Sequence, residues 1–201
     1  MIEYIHIARD FVLLAILLVT SAGRILALDS TSHISQYGHS AWRIRDGYFG
    51  GTPEVIAQTT DGYIWVGTDA GLFKFDGVRF VPWRSPSGGE LLSSEIYSLL
   101  GARDGSLWIG TGAGLAHLIN HRLILYQKNE GWSIEDIYED RDGKIWFMRI
   151  RSDDKTHSLC QVLDAGVRCY GSKDGVDIFG TGPIAQDPSG DLWAGDRKSV
   201  V

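Results

Sequence analysis

The chain has 201 residues, 44% of them apolar and 22% charged, the make-up of a folded globular protein rather than a disordered one. Its net charge of −6 leaves no clustered Lys and Arg for a phosphate backbone, which argues against nucleic acid as a partner. The 25 glycines sit mostly in Asp-Gly, Gly-Thr and Ala-Gly pairs, where tight turns need positive φ, so they read as turn chemistry.

At the N-terminus, residues 11–23 (FVLLAILLVTSAG) are an uncharged run of thirteen that lies after Arg9 and closes in small residues. That length is too short to span a bilayer and suits the apolar region of a secretory leader. Residues 1–27 therefore read as a signal peptide cut after Ala27, with Ala22 as the other site, or as an uncleaved signal anchor; Glu3 and Asp10 depart from the usual basic start. Either reading exports the rest of the chain. Residues 28–53 lead into a repetitive region.

From residue 54 onward one phrase recurs: "DGYIWVGTDAGLFKFDG" from Asp61, "DGSLWIGTGAGLAHLIN" from Asp104, "DGKIWFMR" from Asp142 and "SGDLWAGD" from Ser189. Its tryptophans, Trp65, Trp108, Trp146 and Trp193, are 43, 38 and 47 residues apart, and an apolar residue (Ile56, Leu99, Ile137, Ile184) stands six before each motif glycine. A period of this size belongs to arrays that repeat one supersecondary unit. Within a unit, apolar runs alternate with turn residues at the spacing of short antiparallel strands. The first copy predicts strands over 55–58, 63–67, 72–75 and 78–83, with two-residue hairpin turns at Asp61-Gly62 and Asp76-Gly77. The second predicts strands over 96–100, 107–110, 115–119 and 123–126. The third inserts about six residues around "RSDDKTH". No helix of useful length is predicted beyond the leader.

Strand two is apolar on both faces, as in Ile64-Trp65-Val66 and Leu107-Trp108-Ile109, so neither face of its sheet can be wet. Stacking like sheets around an axis covers both faces. The predicted class is all-β, a β-propeller of four-stranded antiparallel blades, incomplete in this chain at about three and a half blades: 54–84, 95–127, 134–171 and a truncated 182–201. The repeated tryptophans are then packing between blades.

Export permits disulfides, and Cys160 and Cys169 flank "QVLDAGVR". A two-residue turn at Asp164-Ala165 sets Leu163 against Gly166 and Cys160 against Cys169, whereas a three-residue turn shifts the register by one. A cross-strand disulfide and two reduced, buried cysteines both remain open.

Catalytic signatures are missing: the sequence has no Gly-x-Ser-x-Gly turn, no phosphate-binding loop and no cysteine pair at zinc spacing. No catalytic residue, metal site or cofactor is assigned. His117 and His121 are four apart but straddle a predicted hairpin turn, which removes the helical reason for a metal pair. Asp61, Asp104 and Asp142 each precede a turn glycine, where a short carboxylate satisfies backbone N–H groups. Glu130 and Glu135 have no context that would mark a glycosidase pair. Ligand contacts are expected on the loops joining strand four to the next blade and strand two to strand three, at 85–94, 127–133 and 150–157. Within them Trp132, beside Asn129, Glu130 and Gly131, is the large aromatic outside the repeat register. Trp132 and Glu130 are the candidate ligand residues, suited to a sugar ring, with cover of a blade edge as the structural reading of the same tryptophan.

The stretch "ISQYGHSAWRIRDG" at 34–47, followed by "AQTTDGYIWVGTDAGLFKFDGVRF" at 57–80 and "LWIGTGAGL" at 107–115, resembles the start of the two-component regulator propeller proteins. The resemblance is strong over the first two repeats and weaker where Met148 and Arg149 replace the Gly-Thr pair. It implies the extracytoplasmic sensor half of a bacterial hybrid histidine kinase or diguanylate cyclase, on the periplasmic side of the inner membrane. It further implies more blades, a following all-β domain, a membrane span, a cytoplasmic output domain and a homodimeric receptor. The expectation is an N-terminal fragment of such a receptor that binds a small molecule, an oligosaccharide first; the alternative is an exported propeller enzyme or binding protein acting on polysaccharide.

Overall fold

A computed structural model of the chain describes residues 40–86, 88–126, 131–151, 157–164, 166–176, 178 and 182–195. The predicted leader lies outside these residues. The chain divides into two compact units, Met1–Ala41 and Trp42–Val201, and every element described below belongs to the second.

Fourteen strands are described: β1 (Pro53–Gln58), β2 (Ile64–Thr68), β3 (Gly71–Phe75), β4 (Phe80–Pro82), β5 (Ile96–Gly101), β6 (Leu107–Thr111), β7 (Gly114–Ile119), β8 (Arg122–Tyr126), β9 (Trp132–Glu139), β10 (Ile145–Arg151), β11 (His157–Leu163), β12 (Gly166–Tyr170), β13 (Ile184–Gln186) and β14 (Leu192–Ala194). Short 3-10 turns occupy Ile44–Asp46 and Ser172–Asp174. The strands form three four-stranded antiparallel meanders, β1–β4, β5–β8 and β9–β12, and a two-stranded pair β13–β14. First strands of successive blades lie side by side, β1 against β5, β5 against β9 and β9 against β13. They form the inner edge of the array. This is the all-β architecture of propeller blades.

Alternation along strand two places the core. Leu107 and Ile109 face back into a cluster with Trp65, Leu72 and Ile96, while Trp108 between them faces forward into a cluster with Ile134, Ile145 and Phe147. One blade therefore buries both of its faces, the arrangement that a two-sided apolar strand demands. The back face of the first blade is covered by residues before it: Trp42 packs edge-on to Phe75 and Phe80 at 5.1 and 5.6 Å, and Phe49 packs against Phe73 and Phe80 at 5.8 and 4.6 Å.

The repeated letters acquire roles in this geometry. The motif glycine of strand two sits where the next blade presses in. A Cβ on Gly67 would lie 2.5 Å from Ile96 Cγ2, and one on Gly110 would collide with Ser98 Oγ and lie 2.7 Å from the Ile134 carbonyl oxygen. The following threonine organises the next hairpin: Thr68 Oγ1 accepts from the Ala70 N–H at 3.0 Å and donates to the Gly71 carbonyl at 2.9 Å, and Thr111 does the same with Ala113 and Gly114 at 3.1 and 2.9 Å.

The hairpin between strands one and two differs from the two-residue turn predicted at Asp61-Gly62. Gly62 N–H donates back to the Thr59 carbonyl at 2.9 Å with φ +87°, and Thr59 N–H closes onto the Tyr63 carbonyl at 3.1 Å. The turn thus spans 59–62 and ends in a left-handed glycine, the geometry of a longer hairpin loop. The same bond recurs from Gly105 to Ala102, Gly143 to Asp140 and Gly190 to Asp187.

Candidate functional site

Trp132, placed by the sequence in a loop, is the first residue of β9 and pairs with Arg151 on β10. It therefore belongs to the inner edge of the third blade, at the end where loops from strand four arrive. The Arg149 guanidinium lies 3.8 Å from the centre of its ring and that of Arg151 5.9 Å, so two cations share one aromatic platform. Burial holds the Arg149 pKa below its ordinary value. A sugar stacking on Trp132 has to use the ring face opposite Arg149. Glu130, with residues 127–129, lies outside the described residues, as do 152–156 of the predicted 150–157 loop. The 85–94 segment borders a cleft of about 380 Å³ with Trp83, Arg84, Glu90 and Leu91 in its wall.

Further along the inner edge, Tyr97 donates its hydroxyl to Glu95 at 3.2 Å, and Ser133 donates to Glu135 at 2.7 Å. Burial raises the Tyr97 pKa first, followed by the charges of Glu95, Glu135 and Glu54. Glu135 is thus engaged by a neighbouring serine. Among the described residues no group of three or more His, Cys, Asp or Glu is disposed to hold a metal ion. His117 and His121 do not converge: His117 is buried on β7 and stacked on Trp108 at 3.8 Å with a 6° interplanar angle, whereas His121 sits in the exposed β7–β8 turn at φ +62°.

The turn aspartates are structural in part. Asp61 Oδ1 accepts from Thr59 Oγ1 at 2.5 Å and from the Tyr63 N–H at 3.3 Å, and Asp104 Oδ1 accepts from Ser106 N and Oγ at 2.9 and 2.6 Å. Asp142 departs from the pattern and pairs with Lys144 at 2.9 Å. In the third blade the backbone-satisfying carboxylate is Asp140, which accepts the N–H groups of Asp142 and Lys144 at 2.9 Å each and also the Trp146 indole N–H at 2.9 Å. The position six before each tryptophan provides that indole acceptor again at Thr59 for Trp65, 3.1 Å, and at Asp187 for Trp193, 3.1 Å. The second blade has Ala102 there.

Cys160 and Cys169 face each other in the β11–β12 pair, where Leu163 is set against Gly166, and are joined by a disulfide with a Cα–Cα distance of 4.0 Å. The sulfurs sit on the third blade's outer hairpin, with Cys160 fully buried in the cluster shared with the second blade. Two arginines link successive blades: Arg103 pairs with Glu139 at 3.0 Å and donates to the carbonyls of Asp140 and Arg141, and Arg141 donates to the Pro188 carbonyl at 2.9 Å. Sequence reading missed this clasp, although the arginine recurs one residue before Asp104 and Asp142.

A family model described as two component regulator propeller matches residues 90–113. No curated protein matches the chain. Among solved structures, the extracellular domain of BT4673 from B. thetaiotaomicron, assigned to a one component system, is 20% identical with a TM-score of 0.53 over 70% of this chain and 19% of its own. A second structure of that extracellular domain, assigned to a hybrid two component system, gives 18% identity and a TM-score of 0.52 over 72% of this chain and 22% of its own. The extracellular domain of BT3049 from the same organism, also assigned to a hybrid two component system, is 17% identical with a TM-score of 0.42 over 72% of this chain and 26% of its own. The chain spans about a fifth to a quarter of the length of these solved chains. Among the described residues no helix is long and apolar enough to cross a membrane. Residues 90–113 match the two component regulator propeller repeat, and they lie within an array whose described strands form like four-stranded antiparallel blades.

Proposed function

We propose that this chain is the ligand-sensing propeller region of an extracytoplasmic receptor that feeds a two-component output, on the periplasmic side of a bacterial inner membrane. The observation that carries the reading is the regulator propeller repeat at 90–113, set in an array of like blades. The apolar leader at 11–23 supports export. Binding, rather than turnover, is the role assigned to the loop face, and an oligosaccharide is the first-choice ligand, with Trp132 as the stacking residue and Glu130 beside it. The complete receptor is a membrane-linked homodimer in this reading, its output a histidine kinase or a diguanylate cyclase.

Titration calorimetry of the complete ectodomain against a panel of defined oligosaccharides tests this. A panel member should bind without being changed. Trp132→Ala should weaken it by about tenfold, since an aromatic contact contributes about 1 kcal/mol beyond its buried area. Hydrolysis of a panel member would support the alternative of an exported propeller enzyme, and unchanged affinity in Trp132→Ala would remove that residue from the site.

A further inference from the structure

Between the first two blades lies a cleft of about 230 Å³, lined from the β1–β2 and β7–β8 turns across to Trp83 and Pro86. Thr59, Asp61, Trp65 and Lys74 of the first blade form one wall, and Asn120 and His121 of the second form the other. Lys74 is half-buried on β3 directly opposite Trp65, and its ammonium is held over two rings, 3.4 Å from the centre of Tyr63 and 5.2 Å from that of Trp65. Among the described residues this ammonium makes no ion pair within 4.0 Å and donates no hydrogen bond. The Asp61 carboxylate, held below its ordinary pKa first by the Thr59 hydroxyl and further by the Tyr63 N–H and the Lys74 charge, acts on this ammonium without pairing with it within 4.0 Å. A positive charge with three N–H donors and no protein acceptor, facing a cleft, calls for an anionic partner.

The opposite wall carries a second oddity. Asn120 and His121 form a two-residue turn between Ile119 and Arg122, with φ +49° and +62°. Turns of this kind favour Asn-Gly, and asparagine fits, but histidine bears the Cβ strain that glycine avoids. An imidazole lining the cleft gives that strained position a use.

We propose that this cleft binds a small hydroxylated carboxylate of the sugar-acid type, its carboxylate on Lys74 and its hydroxyls on Asp61, Asn120 and His121. One cation selects one anionic group, the carboxylate and amide side chains suit hydroxyl donors and acceptors, and the indole edges of Trp65 and Trp83 give an apolar wall. The cleft is smaller than the roughly 300–1,000 Å³ of drug-sized sites, which fits a single unit better than a chain. The site is independent of Trp132, which lies on the third blade.

The test is calorimetric titration of the full chain with glucuronate, with an oligosaccharide containing glucuronate, and with glucose as the neutral control. Glucuronate should bind, glucose should not, and raising salt should weaken the interaction. Binding of the oligosaccharide as well as the free acid would identify a polymer-borne acid as a source; binding of the free acid alone would assign the site to monomers. Lys74→Met keeps the aliphatic stem over the rings and should weaken binding at least about tenfold, while Lys74→Arg should retain it. His121→Gly relieves the turn, so its Tm should hold or rise while affinity falls, an outcome that separates ligand contact from fold support. Trp132→Ala should leave glucuronate binding unchanged. Absence of glucuronate binding by a chain that melts cooperatively, equal binding of glucose, unchanged affinity in Lys74→Met, or loss in Trp132→Ala equal to that in Lys74→Met would overturn the proposal.

Discussion

Single residues carry the contacts between blades, and they do so by different physics at each position. Trp108 is 5% exposed, stacked on His117 and 5.4 Å from Tyr126, so its truncation removes a large part of the second cluster. Trp108→Ala should cost about 3–5 kcal/mol in denaturant unfolding, the usual range for a buried aromatic. Its indole N–H differs from those of Trp65, Trp146 and Trp193 in having Ala102 where they have Thr59, Asp140 and Asp187. Ala102→Thr supplies a hydroxyl acceptor at that position and should raise the unfolding free energy by about 1 kcal/mol; a lowered denaturation midpoint would show that the 2% exposed site does not admit the added volume. His117 adds a pH dependence. Both of its ring nitrogens are buried without a hydrogen-bond partner, and burial depresses its pKa, opposed only in part by the Asp104 carboxylate. The folded state thus holds the neutral imidazole, and the unfolded chain binds the proton more readily. Stability from this group is fully present above the ordinary histidine pKa of about 6.5 and is lost as pH falls through the lowered folded value. The depressed carboxylates of Asp61 and Asp104 lose stability in the same direction, at lower pH. His117→Phe keeps the stack on Trp108 and should flatten the Tm profile between pH 5 and 7, about the histidine range; a wild-type profile unchanged by this substitution would show that the ring's protonation is not coupled to folding.

At the scale of the element, the hairpin is the unit that the sequence announces most clearly, because its period-two alternation and its turn glycines are local properties. Strand two of each blade was legible from Trp flanked by apolar residues, and Ile109 and Phe147, both fully buried, show why that pattern has no polar phase. Positions fixed by a neighbouring blade were not legible. Nothing within "DGKIWFMR" tells that Asp140 rather than Asp142 takes the turn N–H groups, since that choice depends on the indole N–H of Trp146 reaching back across the hairpin. Trp132 looked like a loop residue because its strand begins directly after Gly131, at φ +91°, with no apolar run before it. The Cys160–Cys169 register was one of two open choices, and pairing of Leu163 with Gly166 decides it. With nine residues of separation, this cross-link should contribute about 2–3 kcal/mol on the loop-entropy scale. Reduction should therefore lower the unfolding free energy of the chain by that amount, and a Cys160→Ala, Cys169→Ala double variant should melt like the reduced protein with no further response to reductant. An identical denaturation midpoint with and without reductant would show that the hairpin does not depend on the bond.

Over the whole array, each blade lends its neighbour a covering face, so stability is a sum of blade terms and interface terms. The forward face of the first blade is closed by the second through Trp65 and Ile96, and that of the second by the third through Trp108 and Ile134. The Arg103–Glu139 pair and the Arg141–Pro188 bond fasten the turns along the same direction. The repeat then reaches β13–β14, where Trp193 keeps its bond to Asp187 but is 64% exposed, against 5% for Trp65 and Trp108. An indole at this position is built to be covered, and a large apolar side chain moved from water into a packed interface contributes about 1.5–3 kcal/mol. Expressed by itself without residues 1–27, the chain should therefore associate through this face, with a light-scattering mass that rises with protein concentration. Trp193→Ser should shift that equilibrium toward monomer without lowering the Tm of the first three blades, because its ring is not part of their clusters. A wild-type chain that stays monodisperse across the concentration range and melts in one reversible transition would show that the fourth blade's open face is already satisfied, and that the interfaces of the first three blades suffice for a stable unit.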